Sequence, residues 1–303
     1  MSAATMDAPM AMPLAGLQEG DLLLMMGDGP LSDLIAWASD GVYSHAAIVV
    51  DGGELVEASL AGVRRYPLAA RMQEQAHFHY IDAYRLRDRR GCAFTPADLG
   101  LVGRHAKDML GAPYAIDQLA LLGVVMAVRG KWPAHPLARR LVRIALDRAL
   151  PAESPGMVCS EVVYRAWAEC AATPRGALAP EIVEGARGTA PFPDIDWKAL
   201  FDEIGPLLGG QSRVDAASGL RGAAAPAADA WLLADGGVHV PDEALEQARQ
   251  EVLARLDNRA LMRSSGVDAA LDARPNPRLV SPQDLANSPR AIRLGRLMSR
   301  AEG

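Results

Sequence analysis

With 303 residues, half of them hydrophobic, the chain has enough apolar material for one large core or two small ones, and it reads as globular. A net charge of −6 and a pI near 5.6 leave no basic surplus, which argues against nucleic acid as a partner. Three cysteines, Cys92, Cys159 and Cys170, are too few and too scattered for a disulfide framework or a zinc site, so free thiols are expected.

Residues 1–13 are rich in Met, Ala and Pro. They lack the basic and continuous apolar regions of a secretory signal, so a cytoplasmic start is expected, although leaderless export leaves no mark in a sequence. A first strand is expected over 22–26, closed by Gly27-Asp28-Gly29-Pro30. A short helix carrying Leu34, Ile35 and Trp37 follows, with Ser32 or Asp33 as its cap.

Tyr43-Ser44-His45 then opens a β-branched run to Val50. Asp51-Gly52-Gly53 has the composition of a hairpin turn, and residues 54–59 form the return strand. If the register centres on Gly52, His45 lies near residues 57–59, within reach of the Glu57 carboxylate. Two more strands are expected over 62–70 and 77–86. His77 and His79 would share a face of the second as a metal pair, but no third ligand is placed by spacing, so ordinary strand histidines are preferred.

Thr95-Pro96-Ala97-Asp98 has the form of a capped helix start, and that helix should run to Leu110 before Gly111 stops it. His105 inside it reads as structural or surface. Residues 116–128 are almost wholly apolar apart from Asp117, Gln118 and Gly123, yet too short to span a membrane, which takes about 20 residues. A second helix over 137–150 sets Arg139, Arg140 and Arg143 on one side. With Arg129, Lys131 and Arg148 against Asp147, the stretch 129–148 is strongly basic in an acidic protein. Two readings follow: a lid or interfacial anchor meeting anionic lipid, or an ordinary helical hairpin with solvated arginines, the second being preferred.

Pro155-Gly156 breaks the chain before a helix with apolar residues at 159, 163, 166, 167 and 170. Cys159 falls in or near its first turn, where free backbone N–H groups and the helix dipole favour a thiolate. Cys159, His45 and Glu57 would then supply nucleophile, base and orienting carboxylate. Ser160 lacks the Gly-x-Ser-x-Gly setting of a hydrolase serine.

Beyond Cys170, residues 173–193 look loop-like, 197–204 form a short helix, and 205–230 are a Gly- and Ala-rich excursion. A helix over 241–257 precedes an irregular stretch, 258–278. Ser281-Pro282-Gln283-Asp284 caps a helical turn ahead of the basic segment 290–300.

The order of Ser44-His45-Ala46-Ala47-Ile48-Val49, Glu57-Ala58 and Cys159-Ser160-Glu161, with Glu19-Gly20-Asp21-Leu22 before them, resembles the circularly permuted papain-like, NlpC-type cysteine hydrolases of the YiiX/YaeF-like group. Gly111-Ala112-Pro113-Tyr114 resembles a segment of that superfamily whose tyrosine helps line the site. The resemblance covers roughly residues 17–170. It implies an α+β fold, with an antiparallel sheet packed against the helix bearing the cysteine and with helical insertions. The domain plan is a catalytic unit over 14–172 with an insertion at 115–150, an irregular accessory segment over 173–278, and a segment at 279–300 that packs back on the catalytic unit.

The implied chemistry is acyl transfer through a thioester formed on Cys159, with His45 as base and Glu57 stabilising the imidazolium. Tyr114, Tyr43 and Ser160 would line the site or its oxyanion side, and no metal or organic cofactor is required. Three function classes stay open. A cysteine amidase or peptidase predicts a polar open groove at Cys159. A lipid esterase or acyltransferase, in peripheral contact with a membrane through 129–148, predicts an apolar tunnel. A binding protein that keeps the fold without turnover predicts an ordinary thiol.

Overall fold

The computed structural model describes residues 11–59, 62–113, 118–149, 157–183, 190–209, 240–264 and 275–300. Tyr114 and most of the Gly- and Ala-rich excursion lie outside them.

Six antiparallel strands form one sheet in the order β4-β3-β2-β1-β5-β6. They are β1 (Leu22–Gly27), β2 (His45–Val50), β3 (Glu54–Ser59), β4 (Gly62–Pro67), β5 (Phe78–Leu86) and β6 (Ala291–Ser299). The whole of β1 is buried, because both faces of the sheet are covered. Leu22, Leu24, Ala46, Ile48, Val56 and Ala58 face α3 (Pro96–Asp108) and α6 (Cys159–Ala168). Leu23, Met25, Ala47, Val49 and Leu55 face a second apolar cluster with Leu68, Phe78 and Met298. Burial on both sides explains why these strands read as continuous apolar runs and not as alternating ones.

The β2–β3 turn follows the expected register, with Val50 opposite Glu54 and Ile48 opposite Val56; Gly52 and Gly53 both adopt φ of 73°. One strand later, Glu57 stands directly across from Arg64. Pro67 has no N–H to extend the ladder, so the segment expected to remain strand to residue 70 turns instead into a single helical turn, α2 (Leu68–Arg71). The first helix, α1 (Pro30–Ala38), likewise starts earlier than its expected cap. Pro30 occupies the first helical position after Gly29 at φ 110°, and neither Ser32 nor Asp33 caps it.

A second core lies in a helical layer made by α1, α4 (Gln118–Arg129), α5 (Pro136–Ala149), α7 (Trp197–Gly209) and α8 (Asp242–Ser264). Leu121, Leu122, Val125 and Met126 of α4 meet Leu141, Val142 and Ala145 of α5. Leu200, Phe201 and Ile204 of α7 and Leu245, Ala248 and Val252 of α8 complete the cluster. The segments expected to be accessory therefore share a core with the helical insertion. Both helices outrun their expected ends. In α8 the residues after Asp257, through Asn258-Arg259-Ala260-Leu261-Met262-Arg263, include no breaker. In α7 the chain continues through Gly205-Pro206, since loss of one backbone hydrogen bond does not stop a helix already anchored by Leu200, Phe201 and Ile204.

The basic stretch turns inward. Arg139, expected on a solvated face, is buried; it donates to the carbonyls of Val240 and Pro133 and pairs with Asp242. Arg129 pairs with Asp284, Lys131 with Asp40 at 2.7 Å, and Arg143 donates to the Ala244 carbonyl as well as to Asp147. These guanidinium and ammonium groups fasten α4 and α5 to their neighbours. No helix among the described residues is long and apolar enough to cross a membrane.

The basic C-terminal segment forms β6, paired with β5; Arg293 and Arg296 both reach the buried Asp82 carboxylate. Before it comes α9 (Pro282–Ala286), capped by Ser281 and Asp284 in a reciprocal box. The chain is thus an α+β protein whose six-stranded antiparallel sheet packs one face on α3 and α6.

Candidate active site

The nucleophile candidate is set by two elements. Pro113 accepts the Met157 N–H at 3.1 Å, tying the segment before α6 to residues 111–113, which are themselves locked to β4 through Val63 and Ala112. The Glu161 carboxylate then reaches back to the Val158 N–H, so α6 begins at Cys159 with its N-cap satisfied. Cys159 is nearly inaccessible yet lines the wall of a cleft. It sits where the helical layer and the sheet layer meet: its side chain belongs to the helical core, while Val162, Val163 and Trp167 further along α6 belong to the sheet core.

His45 opens β2 and lines the same cleft as Cys159, close enough for each group to set the charge of the other. Its Nε2 lies 3.2 Å from Glu57 Oε2. With that nitrogen taken by the carboxylate, Nδ1 is left for the thiol. Glu57 is 1% exposed and is held by two arginines. Arg64, its cross-strand neighbour, donates through Nε and a terminal nitrogen at 3.1 and 2.9 Å. Arg71 from α2 bridges both carboxylate oxygens.

These contacts fix the charge states. Burial alone would push the Glu57 carboxyl up; the His45 bond and charge, then Arg71 and Arg64, overcome it and bring it to about 2. Burial pulls the His45 imidazole down, but the Cys159 thiolate and then Glu57 lift it to about 9. Burial would raise the Cys159 thiol as well. The His45 imidazolium outweighs it, helped by the backbone N–H groups of Ala46 and Ser160, and the thiol falls below its ordinary value. Both shifts run in the direction that favours thiolate and imidazolium over the neutral pair.

The cleft holds about 490 Å³ and brings all three side chains together. Its remaining walls mix polar side chains, Asp28, Ser32, Ser44, Arg64, His77 and Glu203 among them, with apolar Ile35, Ala58, Phe78 and Leu121. Of the described side chains of α4, only Leu121 reaches it. A larger cleft, about 680 Å³, opens near Arg87, Tyr164 and Arg290 and contains none of the three.

No family model matches the chain. No curated protein matches it either. Among solved structures, that of the metalloprotein YiiX from Escherichia coli O157:H7 is similar over 93% of this chain and 98% of that one, with 16% identity and a TM-score of 0.41.

The other site residues expected from sequence are placed differently. Tyr43 does not line the cleft. Its hydroxyl donates to Asp82 at 2.7 Å and lies 2.9 Å from that of Tyr84, within the sheet core. Strand alternation alone would set Tyr43 on the side of His45, Ala47 and Val49; but Tyr43 precedes β2, and the path of the chain ahead of the strand delivers its ring to the α6 side with Ala46 and Ile48. The Ser160 hydroxyl is fully buried in α6 away from the cleft, and Ser160 acts on Cys159 through its backbone N–H. Tyr114 lies outside the described residues.

His77 lines the cleft and His79 sits 3.3 Å from Asp28; among the described residues no three His, Cys, Asp or Glu side chains converge as a metal site. Arg64 and Arg71 went unnoticed in the sequence. Arg64 was legible in principle, as the basic residue opposite Glu57 in a tight hairpin. Arg71 was not, since only the chain reversal after Pro67 carries it back over Glu57.

Proposed function

We propose that this protein is a cysteine hydrolase of the permuted papain-like type that acts on an amide bond in a polar substrate. The observation that carries the reading is the His45 imidazole, bonded to the buried Glu57 carboxylate and set beside Cys159 in one cleft. The Cys159 thiolate attacks the carbonyl carbon, and negative charge develops on the carbonyl oxygen near the start of α6, where the dipole of the helix favours it. His45, already protonated, gives its proton to the departing amine as the C–N bond breaks, leaving a thioester on Cys159. Water attacks the thioester, His45 takes up its proton, and the acid product leaves with the thiolate restored. Glu57 remains ionised throughout and holds the ring in one tautomer.

The ionisable side chains on the walls, Asp28, Arg64, His77 and Glu203, favour an amide of a polar or peptide-like molecule over a long-chain ester, because an acyl chain calls for an apolar enclosure. The apolar side chains of α4 that were candidates to line such an enclosure are buried among α1, α5 and α8. The test is to assay the protein, with Cys159→Ala and His45→Gln variants, against matched peptide amides and fatty-acyl esters while following acyl-enzyme by intact mass. Amide turnover lost in both variants is the expected result. Turnover that persists in Cys159→Ala removes the cysteine from the mechanism, and preference for the acyl ester replaces the amide reading with the lipid one.

A further inference from the structure

The Glu57 carboxylate is bound more heavily than an orienting group requires. Papain-like chemistry needs it only to accept from the imidazole, yet two guanidinium groups also occupy it, and they differ in setting. Arg64 is 38% exposed at the cleft wall, whereas Arg71 is 5% exposed. The Arg71 guanidinium lies 4.6 Å from the Tyr66 ring and 5.0 Å from that of Phe78, and it also pairs with Glu74. Glu74 is fixed in turn by the Tyr66 hydroxyl. Phe78 continues to the other side, its ring centroid 6.3 Å from that of His45. A guanidinium held between two aromatic faces, with a carboxylate at each end, has little freedom to leave Glu57.

The charges in this cluster cancel. Thiolate Cys159, Glu57 and Glu74 stand against imidazolium His45, Arg64 and Arg71, on β2, β3, β4, α2, α6 and the turn after α2. The other titratable groups lining the cleft are Asp28 after β1, His77 before β5 and Glu203 on α7, and none is an ion-pair partner of Glu57 among the described residues. Neutralising Arg71 would leave one surplus negative charge beside the catalytic pair.

We infer that Arg71 is a positioning residue that, together with Arg64, keeps Glu57 ionised and fixed and thereby sets the pH window in which the Cys159 thiolate and His45 imidazolium coexist. This rests on the reading of Cys159 as the nucleophile. A positive charge removed from beside two titrating groups raises the proton affinity of both. The thiol then ionises at higher pH, and the imidazolium persists to higher pH. A residue that only stabilised the fold would lower the reactive fraction and leave both limbs of the profile in place.

The experiment is the rate of Cys159 alkylation by iodoacetamide and by iodoacetate from pH 4 to 11, in the full chain with Cys92 and Cys170 replaced by Ser and Ala. Wild type in that background, Arg71→Met, Arg71→Lys and Arg64→Met are compared. In Arg71→Met both limbs are expected to move alkaline by about one pH unit, with Arg71→Lys returning most of the shift and Arg64→Met giving a smaller one in the same direction. An activated wild-type profile with unmoved limbs in Arg71→Met overturns the inference and leaves the cysteine reading standing. An ordinary thiol profile in the wild type overturns both. Should Arg71→Met fail to fold, the more exposed Arg64→Met decides, and unmoved limbs there count against the inference.

Discussion

His45 Nε2 and Glu57 Oε2, twelve residues apart in the chain, lie 3.2 Å from each other across the β2–β3 pair. The bond exists because the turn at Asp51-Gly52-Gly53 sets the register, so that the two side chains leave the same face of adjacent strands. Glu57→Gln keeps the shape and removes the charge. His45 keeps an amide oxygen in reach but loses its charged acceptor, and the alkaline limb of Cys159 alkylation, expected near pH 9 in the wild type, is expected to fall by about one unit or more. An unchanged limb in Glu57→Gln would show that the carboxylate does not support the imidazolium.

Charge at His45 also separates two alkylating agents. Anionic iodoacetate is attracted by an imidazolium beside the thiolate, whereas neutral iodoacetamide is not. The iodoacetate-to-iodoacetamide rate ratio should therefore drop as pH rises through about 9, where His45 loses its proton. In His45→Gln the ratio should be flat across that range. A flat ratio in the wild type would mean that no imidazolium stands next to Cys159.

Acid stability follows from Glu57. Its carboxyl is held at about 2 against an ordinary value of 4.5, so the stabilisation is present above 4.5 and is lost as pH falls through about 2. Urea unfolding between pH 5 and 2 should therefore weaken less steeply in Glu57→Gln than in the wild type. Glu57→Ala is a harsher change. It leaves Arg71 buried without its main partner and should cost about 3–5 kcal/mol at pH 7.

Tyr43 offers a contrast within the same sheet. Its hydroxyl is spent on Asp82 and Tyr84, so Tyr43→Phe should cost about 1–3 kcal/mol through a buried acceptor left short of a donor. The pH profile of Cys159 alkylation should not move. A shifted profile would return Tyr43 to the site.

Gly123 tests the packing of the helical layer. A Cβ there would fall 2.0 Å from the Ala145 carbonyl oxygen, so α4 and α5 cross at a separation that only glycine permits. Gly123→Ala should lower stability by about 1–3 kcal/mol or more, measured by chemical denaturation, because relief requires two backbones to part.

Sequence by itself was enough for the elements that local chemistry dictates. The register from His45 to Glu57 follows from a Gly-Gly turn, the start of α6 at Cys159 from a Pro-Gly break before an apolar period, and the capping boxes of α3 and α9 from their spacing. Tertiary structure decided the rest, because the determinants are side chains brought together from distant elements. Which carbonyls and carboxylates would draw Arg139 into the interior depended on where residues 240–242 came to rest. Whether α7 and α8 were accessory depended on their sharing a core with α4. The side of the sheet on which Tyr43 falls depended on the path of the chain ahead of β2, which alternation along the strand does not record. The second guanidinium on Glu57 comes from a helical turn that only the reversal at Pro67 carries back over the strand. A local pattern records backbone preference and face; it does not record which distant group will satisfy a buried charge.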